Sequence, residues 1–246
     1  RLNTTLAKVQ STAAILSDEW VDDDAMNMYE IKREIEKSSI KHFKAIFFHN
    51  CLAGNLETLS EIYTLTDYII APEHRLASDG TLIVDFVKEL YEDNDFESSV
   101  KNFFDNTKNY WKQEYKEYAQ NGDLNFIKAS ELESILPIFK NIASRLKVLY
   151  KDEEQRQIID YISVYTYNVD QDESPLYDAL YLVQTLAKAT KDSDLKESAK
   201  KLEKAFDKLF LKKIEVYYNK DLIDRYNIDS FSLSIVITYH ENYKEE

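Results

Sequence analysis

The chain has 246 residues, 44% hydrophobic and 13% aromatic, a composition that supports a proper core and excludes a disordered chain. Its net charge of -14 argues against a nucleic-acid partner, because phosphate binding needs clustered Lys and Arg, and Lys200-Lys201 and Lys212-Lys213 are interleaved with acids. No apolar stretch approaches the roughly 20 residues that span a bilayer, the three glycines (Gly54, Gly80, Gly122) exclude a glycine-rich phosphate loop, and a single cysteine allows no disulfide within the chain.

Residues 1–11 are polar and unpatterned, and Ser11 to Leu16 suits a short strand. The acidic loop Asp18 to Asp24 precedes an amphipathic helix over Met28–Ser38, with Met28, Ile31 and Ile35 at helical spacing. Phe43–His49 reads as a strand, Gly54–Leu65 as a helix with Leu56, Leu59, Ile62 and Tyr63 inward, and Asp67–Ala71 as a strand stopped by Pro72. Alternating strand and helix is the pattern of a parallel α/β sheet. Helices are expected at Leu82–Tyr91 and over most of 96–120, with a turn at Asn121-Gly122-Asp123. A long helix over Ser130–Leu149 would carry a capping box of Ser130 and Glu133. Apolar residues recur in 152–168, a loop covers Asp170–Pro175, and helices follow near 176–190 and 194–211. Strands return at Lys213–Tyr218 and Phe231–Tyr239.

In an open α/β sheet, ligands bind beyond the carboxyl ends of the strands. Two such ends are present, His49-Asn50-Cys51 and Ala71-Pro72-Glu73-His74-Arg75. If the strands are neighbours, these loops share a rim. His49 and Cys51 alternate onto one face and Asn50 onto the other. Gly54 permits a tight turn, and the helix beyond it aims its positive end at a thiolate. The bland alternative is that Cys51 is a small buried hydrophobe.

The segment His49-Asn50-Cys51-Leu52-Ala53-Gly54-Asn55-Leu56-Glu57 resembles the nucleophile motif of the clostripain-like cysteine peptidases, relatives of caspases, gingipains and separase. The family's next block, a strand ending in Ala-Asp-Tyr-Ile-Ile-Ala-Ser and a loop ending in Asp-Gly, stands here as Thr66–Pro72 and Ser78-Asp79-Gly80. Weaker echoes follow at Ala129–Leu132, Leu176–Leu180 and Phe231–Ile235, so the resemblance runs through most of the chain in order. It implies a caspase-like α/β fold with a mostly parallel sheet flanked by helices: the Cys-bearing core over 1–95, and a helix-rich extension over 96–246. It also implies an endopeptidase with Cys51 as nucleophile, the backbone around Cys51 and Gly54 forming the oxyanion site and turn, and an extracytoplasmic or secreted bacterial setting. The implied partners are a protein or peptide substrate and the chain's own N-terminal fragment, with no nucleic acid and no membrane span.

The family's catalytic histidine stands in an upstream His-Gly motif, and no His-Gly occurs here. The chain opens Arg1-Leu2-Asn3-Thr4-Thr5, so the reading is of the larger product of a self-activating cut, with its base on an N-terminal fragment. The alternative is an inactive homologue that binds or scaffolds. Two residues before the cysteine, where the family's Asp selects Arg or Lys, stands His49. With Asn50, His74, Arg75 and Asp79 it would line a pocket that is neutral or positive. His42 and His240 read as a strand-start and an exposed residue. No cofactor is implied beyond a Ca²⁺ possibility at Asp22, Asp23 and Asp24, with Asp18 and Glu19 beside them, against the reading of an exposed acidic turn.

Overall fold

The computed structural model describes residues 16–17, 25–74, 76, 81–92, 95–114, 122–165, 176–216 and 232–236. A short antiparallel pair, β1 (Leu16–Ser17) and β2 (Ala25–Met26), leads into α1 (Met28–Lys37). Asn27 starts α1: its side chain accepts the Glu30 N–H and the Glu30 carboxylate accepts the Asn27 N–H, a reciprocal capping box. Then come β3 (Phe43–Phe47), α2 (Leu56–Ile62), a 3-10 turn at Tyr63–Leu65, and β4 (Thr66–Ala71). Asn55 caps α2, its side chain accepting the Thr58 N–H at 2.7 Å. The second part holds α3 (Ile83–Glu92), α4 (Phe96–Glu114), β5 (Gly122–Lys128), α5 (Leu132–Leu149), α6 (Glu153–Tyr165), β6 (Leu176–Asp178), α7 (Ala179–Thr190), α8 (Ser193–Leu209), β7 (Phe210–Val216) and β8 (Ser234–Val236).

The main sheet has the order β3-β4-β5-β7. β3 and β4 are parallel, as their crossover through α2 requires, while β4–β5 and β5–β7 are antiparallel. The sheet is therefore mixed, with the expected parallel pairing at its β3–β4 side. Residues 1–95 and 96–246 contribute two strands each to it. Strand alternation sorts the side chains onto two faces. Ile46, Ile69, Ala71 and Ile127 join one core with α1, α2, α5, α6, α7 and α8; Phe47, Ile70, Leu124, Phe126, Ile214 and Val216 join a second core with α3 and α4. The second core is aromatic: Phe86 stacks on Phe103 at 4.5 Å, and Phe126 meets Phe104, Tyr68 and Phe96. Among the described residues, no helix is long and apolar enough to cross a membrane.

Three expectations change. The turn at Asn121-Gly122-Asp123 is replaced from Gly122 by β5, a strand with neighbours on both edges. Its polar residues Asp123 and Asn125 mimic a turn in sequence, yet both are buried, because a neighbouring loop supplies donors to Asp123. The Ser130 capping box does not form. Ala129–Glu131 is a 3-10 turn and α5 begins at Leu132 without a side-chain cap, a tight entry that puts Ala129 and Leu132 fully inside the core. The helix expected near 176 starts at Ala179; Leu176–Asp178 instead pair with β8, and Asp178 caps α7 through the Tyr181 N–H.

Two outcomes test this packing. Phe126→Ala should destabilise the chain by about 3–5 kcal/mol in urea unfolding, the range for a buried aromatic truncation; a loss under about 1 kcal/mol would contradict its central place. Arg145 reaches Asp192 through Nε at 3.1 and 3.0 Å and holds the Asp192 carboxyl below its ordinary range. A carboxylate whose folded pKa is depressed stabilises above the unfolded value of about 3.9 and loses that contribution as pH falls through the folded value. Asp192→Asn should therefore be less stable than the parent at pH 7, with the gap closing below about pH 4.

Candidate active site

The carboxyl ends of β3 and β4 lie side by side, and the loops leaving them are laced together. The Phe48 N–H donates to Ile70 O at 2.9 Å, the Leu52 N–H to His74 O at 3.0 Å and the Gly54 N–H to Pro72 O at 2.6 Å. That last contact explains the glycine: a Cβ at Gly54 would stand 2.8 Å from Pro72 O, a backbone atom that cannot swing away. Leu52 sits in the left-handed region at φ 61°, which costs a branched residue about 1–2 kcal/mol. The turn is held there by the His74 bond and by the Asn55 side chain, whose Nδ2 donates to Leu52 O at 2.7 Å.

Cys51 projects from this turn and is exposed. Its Sγ accepts the Leu76 N–H at 3.2 Å and faces Leu76 O at 3.5 Å, so the β4 loop arches to the thiol. On its far side the turn meets the second small sheet, β6–β8, through Ser234 N–H donating to Gly54 O at 3.2 Å and a bridge from Ser234 to Asn55. β8 is fixed by Asp178, whose carboxylate accepts from Ser232 N–H at 2.6 Å and Ser232 Oγ–H at 3.0 Å. Burial pushes the Asp178 carboxyl upward, against the lowering effect of those bonds.

Beneath the rim, Asp123 of β5 grips the β4 loop. Its Oδ2 accepts the Glu73 N–H at 2.8 Å and its Oδ1 accepts the His74 N–H at 2.9 Å; His74 Nδ1 lies 3.2 Å from Oδ1. Glu73 is fully buried, and among the described residues neither of its carboxylate oxygens has a hydrogen-bond partner. Burial, then the nearby Asp178 and Asp123 charges, push its carboxyl well above the ordinary range.

The structure thus brings Cys51, His49, Asn50, Gly54 and His74 to one rim, with distinct placements. His49 is exposed, packs edge-on against Phe47, and accepts the Thr81 N–H at Nε2, 3.3 Å away. Asn50 is half-buried and its side chain donates to the Cys51 carbonyl at 3.4 Å. His74 is 8% exposed and turned onto Asp123. His42 bonds Asp67 Oδ1 at 2.9 Å, at the opposite end of β3. Arg75, Asp79, His240 and the acidic Asp22, Asp23 and Asp24 lie outside the described residues. A groove of about 420 Å³ between α7 and α8, lined by Lys188, Lys191, Lys196 and Lys200, carries no nucleophile and lies away from this rim. Sequence reasoning missed Asp123 and Glu73 as site-building residues. The signal for Asp123 was present: Asp123-Leu124-Asn125-Phe126 alternates with the period of a strand.

Comparison with known proteins identifies the family and the fold. The sequence model of the Clostripain family matches residues 4–245. A cysteine protease of B. fragilis superposes with a TM-score of 0.60 at 14% identity, over 94% of this chain and 93% of that one. A clostripain from Bacteroides thetaiotaomicron, solved with the peptide inhibitor BTN-VLTK-AOMK, gives 0.62 at 14% identity over 94% of each chain. An inactive zymogen C11 protease from Parabacteroides distasonis gives 0.59 at 14% identity, over 97% of this chain and 69% of that one. No curated protein matches. Those solved neighbours share the caspase-like α/β fold described above, and with the family match spanning nearly its whole length, the chain belongs to the clostripain family.

Proposed function

We propose that this chain is the Cys-bearing part of a cysteine endopeptidase in which the Cys51 thiolate attacks the scissile carbonyl. The observation that carries this reading is the exposed Cys51 just beyond the end of β3, on a strained turn tied by two backbone bonds to the β4 loop. The Leu52 and Gly54 N–H groups are engaged by that loop. The Cys51 N–H, without a partner among the described residues, is the donor for the oxyanion. The general base is a histidine on an upstream fragment, released by self-cleavage. It would enter on a strand beside β3, which among the described residues has a strand neighbour on one edge. This accounts for the absence of any histidine contact to the thiol among the described residues: His42, His49 and His74 are each engaged elsewhere. The same observation favours the second reading, an inactive homologue that binds protein partners. The zymogen neighbour and the secreted C11 protease of Bacteroides thetaiotaomicron support processing and an extracytoplasmic setting.

His49, in the position that sets selectivity in the family, carries no negative charge. The pocket therefore takes an uncharged or acidic residue before the scissile bond, and loses the family's preference for Arg or Lys.

Peptide-library cleavage by the assembled protein should vanish in Cys51→Ala, and in the parent it should require the upstream fragment. Cleavage that survives Cys51→Ala would end the peptidase reading at this residue, and fast turnover of arginine substrates would end the pocket assignment. Asp123→Asn should keep the fold but slow turnover by about 10²-fold, because the NH₂ that replaces one carboxylate oxygen cannot accept the backbone donor held there and the β4 loop shifts. An unchanged kcat/KM in that variant would show that the loop needs no such anchor.

A further inference from the structure

We infer that Glu73, His74 and Asp123 form a buried site for a divalent ion of the zinc type, beneath the loop that clamps Cys51. Each residue offers one donor atom, the three donors lie within 4.8 Å of one another, and all three residues are buried. The independent observation is Glu73: a carboxylate at 0% exposure whose two oxygens meet no donor among the described residues. An interior carboxylate in that state is held at a large desolvation cost unless a proton or a cation neutralises it. Its charged neighbours are mostly of its own sign, Asp178, Asp123 and Glu215 against Lys213. A dication corrects that imbalance and occupies the unsatisfied oxygens together.

The donor set selects the ion. Two carboxylates and one imidazole suit zinc, with bonds of about 2.0–2.2 Å, and two ligands sharing a tetrahedral ion then stand about 3.3 Å apart. His74 Nδ1 and Asp123 Oδ1 are already 3.2 Å apart, so an ion can replace the proton between them. Calcium takes about 6–8 oxygens, more than these side chains supply. Because the Pro72 and His74 carbonyls hold the Gly54 and Leu52 N–H groups, an ion here would tie the Cys51 turn to β5.

The test is direct binding, in protein carrying Cys51→Ala so that the thiol takes no part. After dialysis with zinc and removal of the excess, elemental analysis should find one zinc per chain, and zinc should raise Tm. Glu73→Gln, which copies the protonated acid, should keep the same circular dichroism, weaken zinc binding by about tenfold or more and abolish the Tm rise. Asp123→Asn should do the same; where it fails to fold, Glu73→Gln alone carries the test. No zinc on the parent, or equal zinc affinity in parent and Glu73→Gln, would overturn the site. The readout uses no catalysis, so its failure leaves the peptidase reading untouched, and an inactive enzyme could still pass it.

Discussion

The carboxylate of Asp123 is the constraint on which the candidate active-site rim depends. It lies near the start of β5, essentially without solvent, and takes the backbone N–H groups of Glu73 and His74. Charge-assisted bonds of this kind are roughly twice as strong as neutral ones. They fix the path of the chain as it leaves β4. That path in turn presents the Pro72 and His74 carbonyls to Gly54 and Leu52, and the Leu76 backbone to the Cys51 sulfur. One buried acid on a strand far along the sequence thereby sets the position of the exposed thiol.

The sheet makes this economical. β3 and β4 are parallel, so both of their carboxyl ends open on the same rim, and the short α2 crossover returns the chain between them. Two cores pack on opposite faces and hold the strands rigid, with Ile69 and Ile70 as adjacent residues that serve different cores. On that frame the left-handed Leu52 persists, because its strain is opposed by bonds at both of its backbone groups. The β6–β8 pair closes the far side. Asp178 orients β8, and β8 bonds to Gly54, so the C-terminal part of the chain supports the Cys51 turn.

Much of this was legible in the sequence. The run from Phe43 to Ala71 gives strand, turn, helix and strand with clear periodicity, and Gly54 marks a place where backbone approaches backbone closely. The motif around Cys51 carries the resemblance to the family. What was hidden depended on long-range partners. β5 looks like a turn because Asp123 and Asn125 are polar, and their burial makes sense only once the Glu73–His74 backbone is opposite them. His74 has the sequence of a rim residue and instead turns inward, for the same reason. Ser130 has the local signature of a cap, but burial of Ala129 and Leu132 selects a tighter entry to α5. Local pattern predicts elements whose own side chains decide their fate; it fails where a distant charge decides it.

The most direct test of the central claim is intact-mass analysis after treatment with a peptide acyloxymethyl ketone, run on the assembled protein and on Cys51→Ala. The account predicts one adduct per chain, mapped to Cys51, formed at pH 6 where an ordinary thiol is almost wholly protonated, and lost when the upstream fragment is removed. A wild-type protein that stays unlabelled in the presence of that fragment, or labels no faster than a free cysteine peptide, would contradict it.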